Sequence, residues 1–199
     1  MALITEKTID LDGCSIHALE CGSRKGQTAL LLHGMKFQAQ TWRELGTLEA
    51  LADLGLHVLA VDMPGFGKSE ANALAPGEVL TRLFLKESLS RAVLIGPSMG
   101  GRIAMEFAIA HPEKISGLVL VGAVGVEENR TGLSRITVPV LVVWGGEDQV
   151  SPLSNSDILL QECVNARREI YPQAPHPCYL GQPDRWHASL KAFFTDLNK

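Results

Sequence analysis

A serine, an acid and a histidine are spaced along this chain so that together they could carry an acyl group. Ser98 lies at the centre of Gly96-Pro97-Ser98-Met99-Gly100, between an apolar run, Ala92 to Ile95, and an Ala-rich stretch, Gly101 to Ala110. A strand, a sharp turn and a helix in that order make a nucleophile elbow. Glycines flank the serine because a side chain at either place would collide with the adjoining strand or helix, while the serine takes strained backbone angles that expose its hydroxyl. That hydroxyl needs a base, and the base needs a carboxylate to orient it. In this order of elements they follow as serine, acid, histidine. Asp148, in the turn after Val140 to Trp144, and His176, in Ala174-Pro175-His176, fit that order. Glu147 is the adjacent rival for the acid and Asp62 a remote one, better suited to tying down its own loop. His187 reads as a buttress inside a helix rather than as a base.

The segments that must position these residues alternate between strand-like and helix-like, which predicts a mostly parallel sheet with helices on both faces. Two amino-terminal segments, about Glu6 to Leu11 and Cys14 to Glu20, meet at Asp12-Gly13, a two-residue hairpin signal, and should form an antiparallel edge. Thr28 to Leu32, His57 to Val61, Ile115 to Val121, Val140 to Trp144 and Arg167 to Tyr171 read as further strands. Trp42 to Asp53, Pro76 to Lys86, Ser156 to Cys163 and Pro183 to Leu197 read as helices. The loops of Ser98, Asp148 and His176 would all leave carboxyl ends of parallel strands, the edge where ligands bind in open α/β sheets. The whole chain, 1–199, reads as a single domain.

Composition narrows the partners. With 46% hydrophobic and 20% charged residues the chain can bury a sizeable core, so disorder is excluded. A net charge of -4 leaves no basic stripe for nucleic acid or an anionic membrane, and a small-molecule partner is expected. Cys14, Cys21, Cys163 and Cys178 include no C-x-x-C pair, which points to free thiols and a reducing cytoplasm. The first residues lack a basic segment followed by an apolar core, so neither export nor membrane insertion is expected. Gly67-Lys68-Ser69 ends like a phosphate-binding loop, but Asp62 stands where that motif requires glycine, and a carboxylate there repels phosphate. Neither a cofactor nor a metal site is proposed, and Cys178 reads as a packing residue.

From Leu31 onward the chain resembles the α/β-hydrolase superfamily. His33-Gly34 resembles its oxyanion-loop motif, and Asp62-Met63-Pro64-Gly65-Phe66-Gly67-Lys68-Ser69 its loop after the following strand. Leu32-His33-Gly34-Met35-Lys36-Phe37, Thr41-Trp42, Gly46-Thr47-Leu48 and His176-Pro177-Cys178-Tyr179-Leu180 with Pro183 and Trp186-His187 are similar to the small, lidless abhydrolase domain-containing protein 14 group. That group tends to carry serine where this chain has Gly96. The resemblance implies Ser98 as nucleophile, His176 as general base and then acid, and Asp148 as its orienting carboxylate. It also implies backbone N–H groups of Met35 and Met99 as the oxyanion hole.

The expectation is therefore a three-layer α/β-hydrolase fold without a cap domain, since the residues between the strands ending at Val121 and starting at Val140 are too few to fold into one. A shallow, open site suits short-chain acyl esters, thioesters or activated amides on a leaving group of almost any size, including a peptide side chain. Two alternatives remain: an acyltransferase passing the acyl group to a thiol or amine, and a non-catalytic interaction protein on a hydrolase scaffold.

Overall fold

Apolar runs with no polar side to give to water must be covered on both faces, and they set this architecture. In a computed structural model, which describes residues 2–197, eight strands form one sheet: β1 (Thr5–Asp10), β2 (Ser15–Gly22), β3 (Thr28–Leu31), β4 (His57–Val61), β5 (Ala92–Pro97), β6 (Ile115–Val121), β7 (Val140–Gly145) and β8 (Ala166–Tyr171). Their order is β1-β2-β4-β3-β5-β6-β7-β8. The pairs β1–β2 and β2–β4 are antiparallel and all the others parallel. Asp12 and Gly13 take φ of 58 and 92, the two left-handed residues of a type I′ turn, as the sequence predicts.

Among the described residues six helices cover the sheet: α1 (Ala39–Glu44), α2 (Thr47–Ala52), α3 (Pro76–Lys86), α4 (Met99–Ala110), α5 (Leu153–Glu162) and α6 (Pro183–Leu197). Successive strand side chains go to opposite faces. Leu30, Leu94, Leu120 and Val142 join the core under α3, α4 and α5, whereas Leu31, Ile95, Val119 and Val143 join the core under α1, α2 and α6. In α6 the buried residues Trp186, Ser189, Leu190, Phe193 and Phe194 follow the helical period, and Pro183 occupies the first turn, where its missing N–H costs nothing.

The helix expected over Trp42 to Asp53 is two helices. Gly46 sits between them with φ 73, a left-handed conformation that costs other residues about 1–2 kcal/mol. The break turns the chain so that both Trp42 and Leu48 point at the sheet. Short 3-10 turns at Pro112–Lys114 and Arg130–Arg135 fall in segments read as loop, and α5 starts at Leu153, directly after Pro152, ahead of the expected Ser156. Between β6 and β7 the chain holds only the second of these turns, so the described residues include no cap domain. No described helix is long and apolar enough to cross a membrane.

Candidate active site

Ser98 sits between β5 and α4 with φ 51 and ψ -115. A non-glycine residue held there stores roughly 1–3 kcal/mol, which the surrounding bonds must offset. Its N–H donates to the Val121 carbonyl at 2.9 Å, and its carbonyl accepts from the N–H groups of Arg102 at 3.0 Å and Val124 at 3.3 Å. The flanking glycines have no room for a side chain: a Cβ on Gly96 would lie 2.3 Å from the Gly100 oxygen, and one on Gly100 would lie 2.7 Å from the His33 oxygen.

Asp148 and His176, far apart in sequence, meet with His176 Nδ1 2.7 Å from Asp148 Oδ2. The other carboxylate oxygen, Oδ1, accepts the N–H groups of Val150 at 2.9 Å and Ser151 at 2.8 Å. The side chain of Asp148 is 1% exposed and that of His176 is 11% exposed. Burial opposes ionisation of Asp148, but the bonds from His176 and the two N–H groups outweigh it and hold the carboxyl below its usual range. The two loops are stitched together by the Gly146 N–H on the Tyr171 carbonyl, at 2.9 Å, and the Glu147 N–H on the Ala174 carbonyl, at 3.1 Å. Glu147 itself is exposed, and among the described residues its side chain has no hydrogen bond or ion pair.

One residue of this site was not singled out from the sequence. Gly122 directly follows β6 with φ 51, and a Cβ there would come within 2.9 Å of Asp148 Oδ2 and 3.0 Å of His176 Nδ1. Only a bare backbone lets the pair settle over the strand end. A glycine closing an unbroken apolar run was the available signal.

The oxyanion-loop motif borders the same space. His33 is 1% exposed; its Nε2 accepts the Met63 N–H at 3.0 Å, so its Nδ1 carries the proton and donates to the Gly34 carbonyl at 2.8 Å. Burial keeps this imidazole neutral, pushing its pKa below the usual histidine value. A trans peptide sets its N–H opposite its C=O, so fixing the Gly34 carbonyl also aims the Met35 N–H. Met99 is the first residue of α4, where an N–H has no partner within the helix. Ser98, His176, Gly34, Met35, Met99 and Val124 line one mostly apolar cavity of about 410 Å³, to which Lys36 also contributes.

An elbow serine, a part-buried His–Asp pair and the oxyanion-loop motif on one cavity form an arrangement suited to acyl transfer. The family description "alpha/beta hydrolase fold" matches residues 29–133. ABHD14B of Rattus norvegicus, provisionally named a protein-lysine deacylase, is 35% identical over 98% of this chain and 97% of its own length. Protein ABHD14A of Mus musculus is 30% identical over 84% of this chain and 70% of its own. This chain belongs to the α/β-hydrolase family. Within it, these relatives place the chain in the ABHD14 group. A crystal structure of a predicted CIB-like hydrolase from Thermoplasma acidophilum superimposes over 100% of both chains with a TM-score of 0.92, at 23% identity, a likeness of fold.

In this α/β-hydrolase the other residues weighed from the sequence lie outside the cavity. His187 Nε2 is 3.1 Å from the Thr47 hydroxyl and braces α6 against α2. Cys178 is 2% exposed, and burial pushes its thiol up to about 12. Asp62 bonds to its own loop at the Lys68 N–H, 2.9 Å, and also to His17 and Ala39. Among the described residues no group of three or more His, Cys, Asp or Glu side chains is placed to hold a metal ion.

Proposed function

We propose that this protein is a serine hydrolase that removes a short acyl group through an acyl-enzyme on Ser98. The observation that carries this reading is the convergence of the strained Ser98, the 2.7 Å His176–Asp148 pair and the Gly34–Met35 peptide on one cavity. Ser98 Oγ attacks the acyl carbon and its proton passes to His176 Nε2, the nitrogen opposite Asp148. Negative charge then gathers on the acyl oxygen, where the N–H groups of Met35 and Met99 receive it. His176 returns the proton to the leaving oxygen, sulfur or nitrogen as that bond breaks. A water, deprotonated by His176, attacks the acyl-enzyme, and the same oxyanion forms again before Ser98 is released.

The apolar cavity without a cap suits a small acyl group on a bulky carrier, which remains outside. An acyl-lysine side chain is such a carrier, in keeping with the provisional name of the ABHD14B relative. The open mouth also favours a second reading: a thiol or amine acceptor takes the acyl group in place of water. The four buried free thiols suit a reducing cytoplasm. A screen of chromogenic esters and acyl-lysine peptides from acetyl to dodecanoyl, run with wild type and Ser98→Ala, tests the first reading. Turnover that survives in Ser98→Ala would end it. Product analysis with and without an added thiol separates hydrolysis from transfer.

A further inference from the structure

Asp62 is 1% exposed, and such a buried carboxylate is stable only when its oxygens are well satisfied. Here Oδ2 accepts from the Lys68 N–H at 2.9 Å and lies 2.8 Å from His17 Nδ1, which is 8% exposed. The loop that Asp62 begins does not need the remaining oxygen. It is closed by the Ser69 hydroxyl, which donates to the Asp62 carbonyl at 2.7 Å and accepts the His17 N–H at 2.8 Å, and by the Ser69 N–H on the Phe66 carbonyl. Oδ1 instead leaves its own loop and accepts the Ala39 N–H, at 2.6 Å.

Ala39 is where the oxyanion loop ends. Between His33 and Ala39 the chain is held lightly: Met35 is 65% exposed, Lys36 and Gln38 are exposed, and the Gly34 carbonyl accepts from His33 Nδ1 at 2.8 Å and from the Phe37 N–H at 3.0 Å. Its position therefore depends also on how its two ends are held. His33 is fastened to the Met63 N–H and Ala39 to the Asp62 carboxylate, so both fastenings land on two consecutive residues. If the far fastening slackens, the Gly34 carbonyl keeps only its bonds from His33 Nδ1 and the Phe37 N–H, and the loop beyond it can shift and tilt the Met35 N–H away from the Ser98 side.

We propose that Asp62, aimed by His17, is a positioning residue for the oxyanion hole, holding the Ala39 end of the loop so that the Met35 N–H faces the acyl oxygen. This rests on the reading of Met35 as an oxyanion donor in an acyl-enzyme mechanism on Ser98. Asp62 touches no substrate and acts through the loop.

The test compares Asp62→Ala and Asp62→Asn with Ser69→Ala, which removes the tie of the 62–69 loop and leaves the Ala39 bond in place. Kinetics on a short-chain ester, thermal midpoint and the inhibition constant of an aryl trifluoromethyl ketone are measured for each. That ketone forms an oxyanion adduct with a nucleophilic serine. For Asp62→Ala, kcat falls about 10²-fold, the scale of losing one oxyanion donor, with KM little changed. Ketone affinity falls in parallel, and the acid limb of the kcat/KM pH profile stays in place because the His176–Asp148 pair is untouched. Asp62→Asn keeps the side-chain volume and one acceptor, so it retains part of the lost kcat; it also serves if Asp62→Ala does not fold. Ser69→Ala lowers the thermal midpoint with kcat within about two-fold. The proposal is overturned if the Asp62 variants lose stability yet keep kcat and ketone affinity, or if Ser69→Ala matches them in kcat. Failure of the underlying mechanism reads out separately, as wild-type turnover that survives Ser98→Ala and ignores the ketone, and it would remove this proposal as well.

Discussion

Two histidine–carboxylate pairs of identical 2.7 Å length sit at opposite ends of the sheet, and only one has the surroundings of a catalytic site. At the carboxyl ends, His176 spends one nitrogen on Asp148 and keeps the other on the side of the Ser98 cavity. At the amino ends, His57 Nε2 is bound to Glu20 while Nδ1 is 3.1 Å from the Thr28 hydroxyl, so both nitrogens are engaged. Glu20 is also paired with Lys7 at 3.1 Å and Arg24 at 2.7 Å, and both cations reach on to Glu87. The cavity beside His57, about 490 Å³, is larger than that beside Ser98. Neither pair geometry nor cavity size makes a site. What differs is that the strained Ser98 shares a cavity with His176 and, in the proposed mechanism, with N–H groups of Met35 and Met99 that receive the developing charge.

The harshest way to break this contrast is Ser98→Ala. A loss on the order of 10⁶-fold in kcat is expected, with the fold retained, and a serine-directed phosphonate should label Ser98 and nothing else. Labelling elsewhere would move the chemistry to another region. Next comes Asp148→Asn, which keeps the shape but selects the wrong histidine tautomer, with a loss of up to about 10⁴-fold in kcat. Glu147→Gln, on an exposed side chain without a partner, should cost no more than a few-fold. Steady-state kinetics of the two side by side decide it, and the reverse ranking would reassign the acid.

Acyl length sharpens the comparison between the cavities. Without a cap there is little apolar wall to collect the roughly 0.8 kcal/mol that each buried methylene contributes. Accordingly kcat/KM should be highest from acetyl to butyryl and decline towards dodecanoyl. A steady rise with length would demand an apolar tunnel.

The smallest effect on activity is expected at the other end. Glu20→Gln should leave kcat within about two-fold while lowering stability by about 1–3 kcal/mol, because Lys7 and Arg24 lose a neutralising partner. Burial opposes ionisation of Glu20, yet the bonds from His57 and Lys7 and the charge of Arg24 hold its carboxyl below the ordinary 4.5. A depressed carboxyl pKa stabilises the fold above pH 4.5, and that contribution is lost as the pH falls through the folded value. The gap in thermal midpoint between wild type and Glu20→Gln should therefore be widest above pH 4.5 and close in acid. A gap that widened in acid would contradict the ion-pair account.

Local chemistry explains which parts of this molecule could be read from its sequence. Asp12-Gly13 signals its turn because two adjacent left-handed residues suit that pair, and Pro76–Lys86, Ile115–Val121 and Pro183–Leu197 lie where period and proline put them. The break at Gly46 was hidden because the apolar period continues across it, and glycine is tolerated within many helices. The elbow announced itself by spacing, and Asp148 and His176 by their place after strands. What stayed illegible depends on distant partners: Gly122 beneath the His–Asp pair, and the Asp62–Ala39 and His33–Met63 fastenings of the oxyanion loop. No local pattern records that residues 39 and 62 meet.

The four cysteines, all free and all buried, have a practical consequence for anyone probing this protein with reagents. Thiolate is the reactive form of cysteine, and burial pushes the thiols of Cys163 and Cys178 up to about 11 and about 12, with Cys14 and Cys21 also raised. Near neutral pH a soft alkylating agent should therefore pass over the cysteines of the folded chain. An adduct formed by an acylating or phosphonylating probe can then be assigned without first blocking sulfur. Iodoacetamide uptake becomes a clean gauge of unfolding in every variant described above.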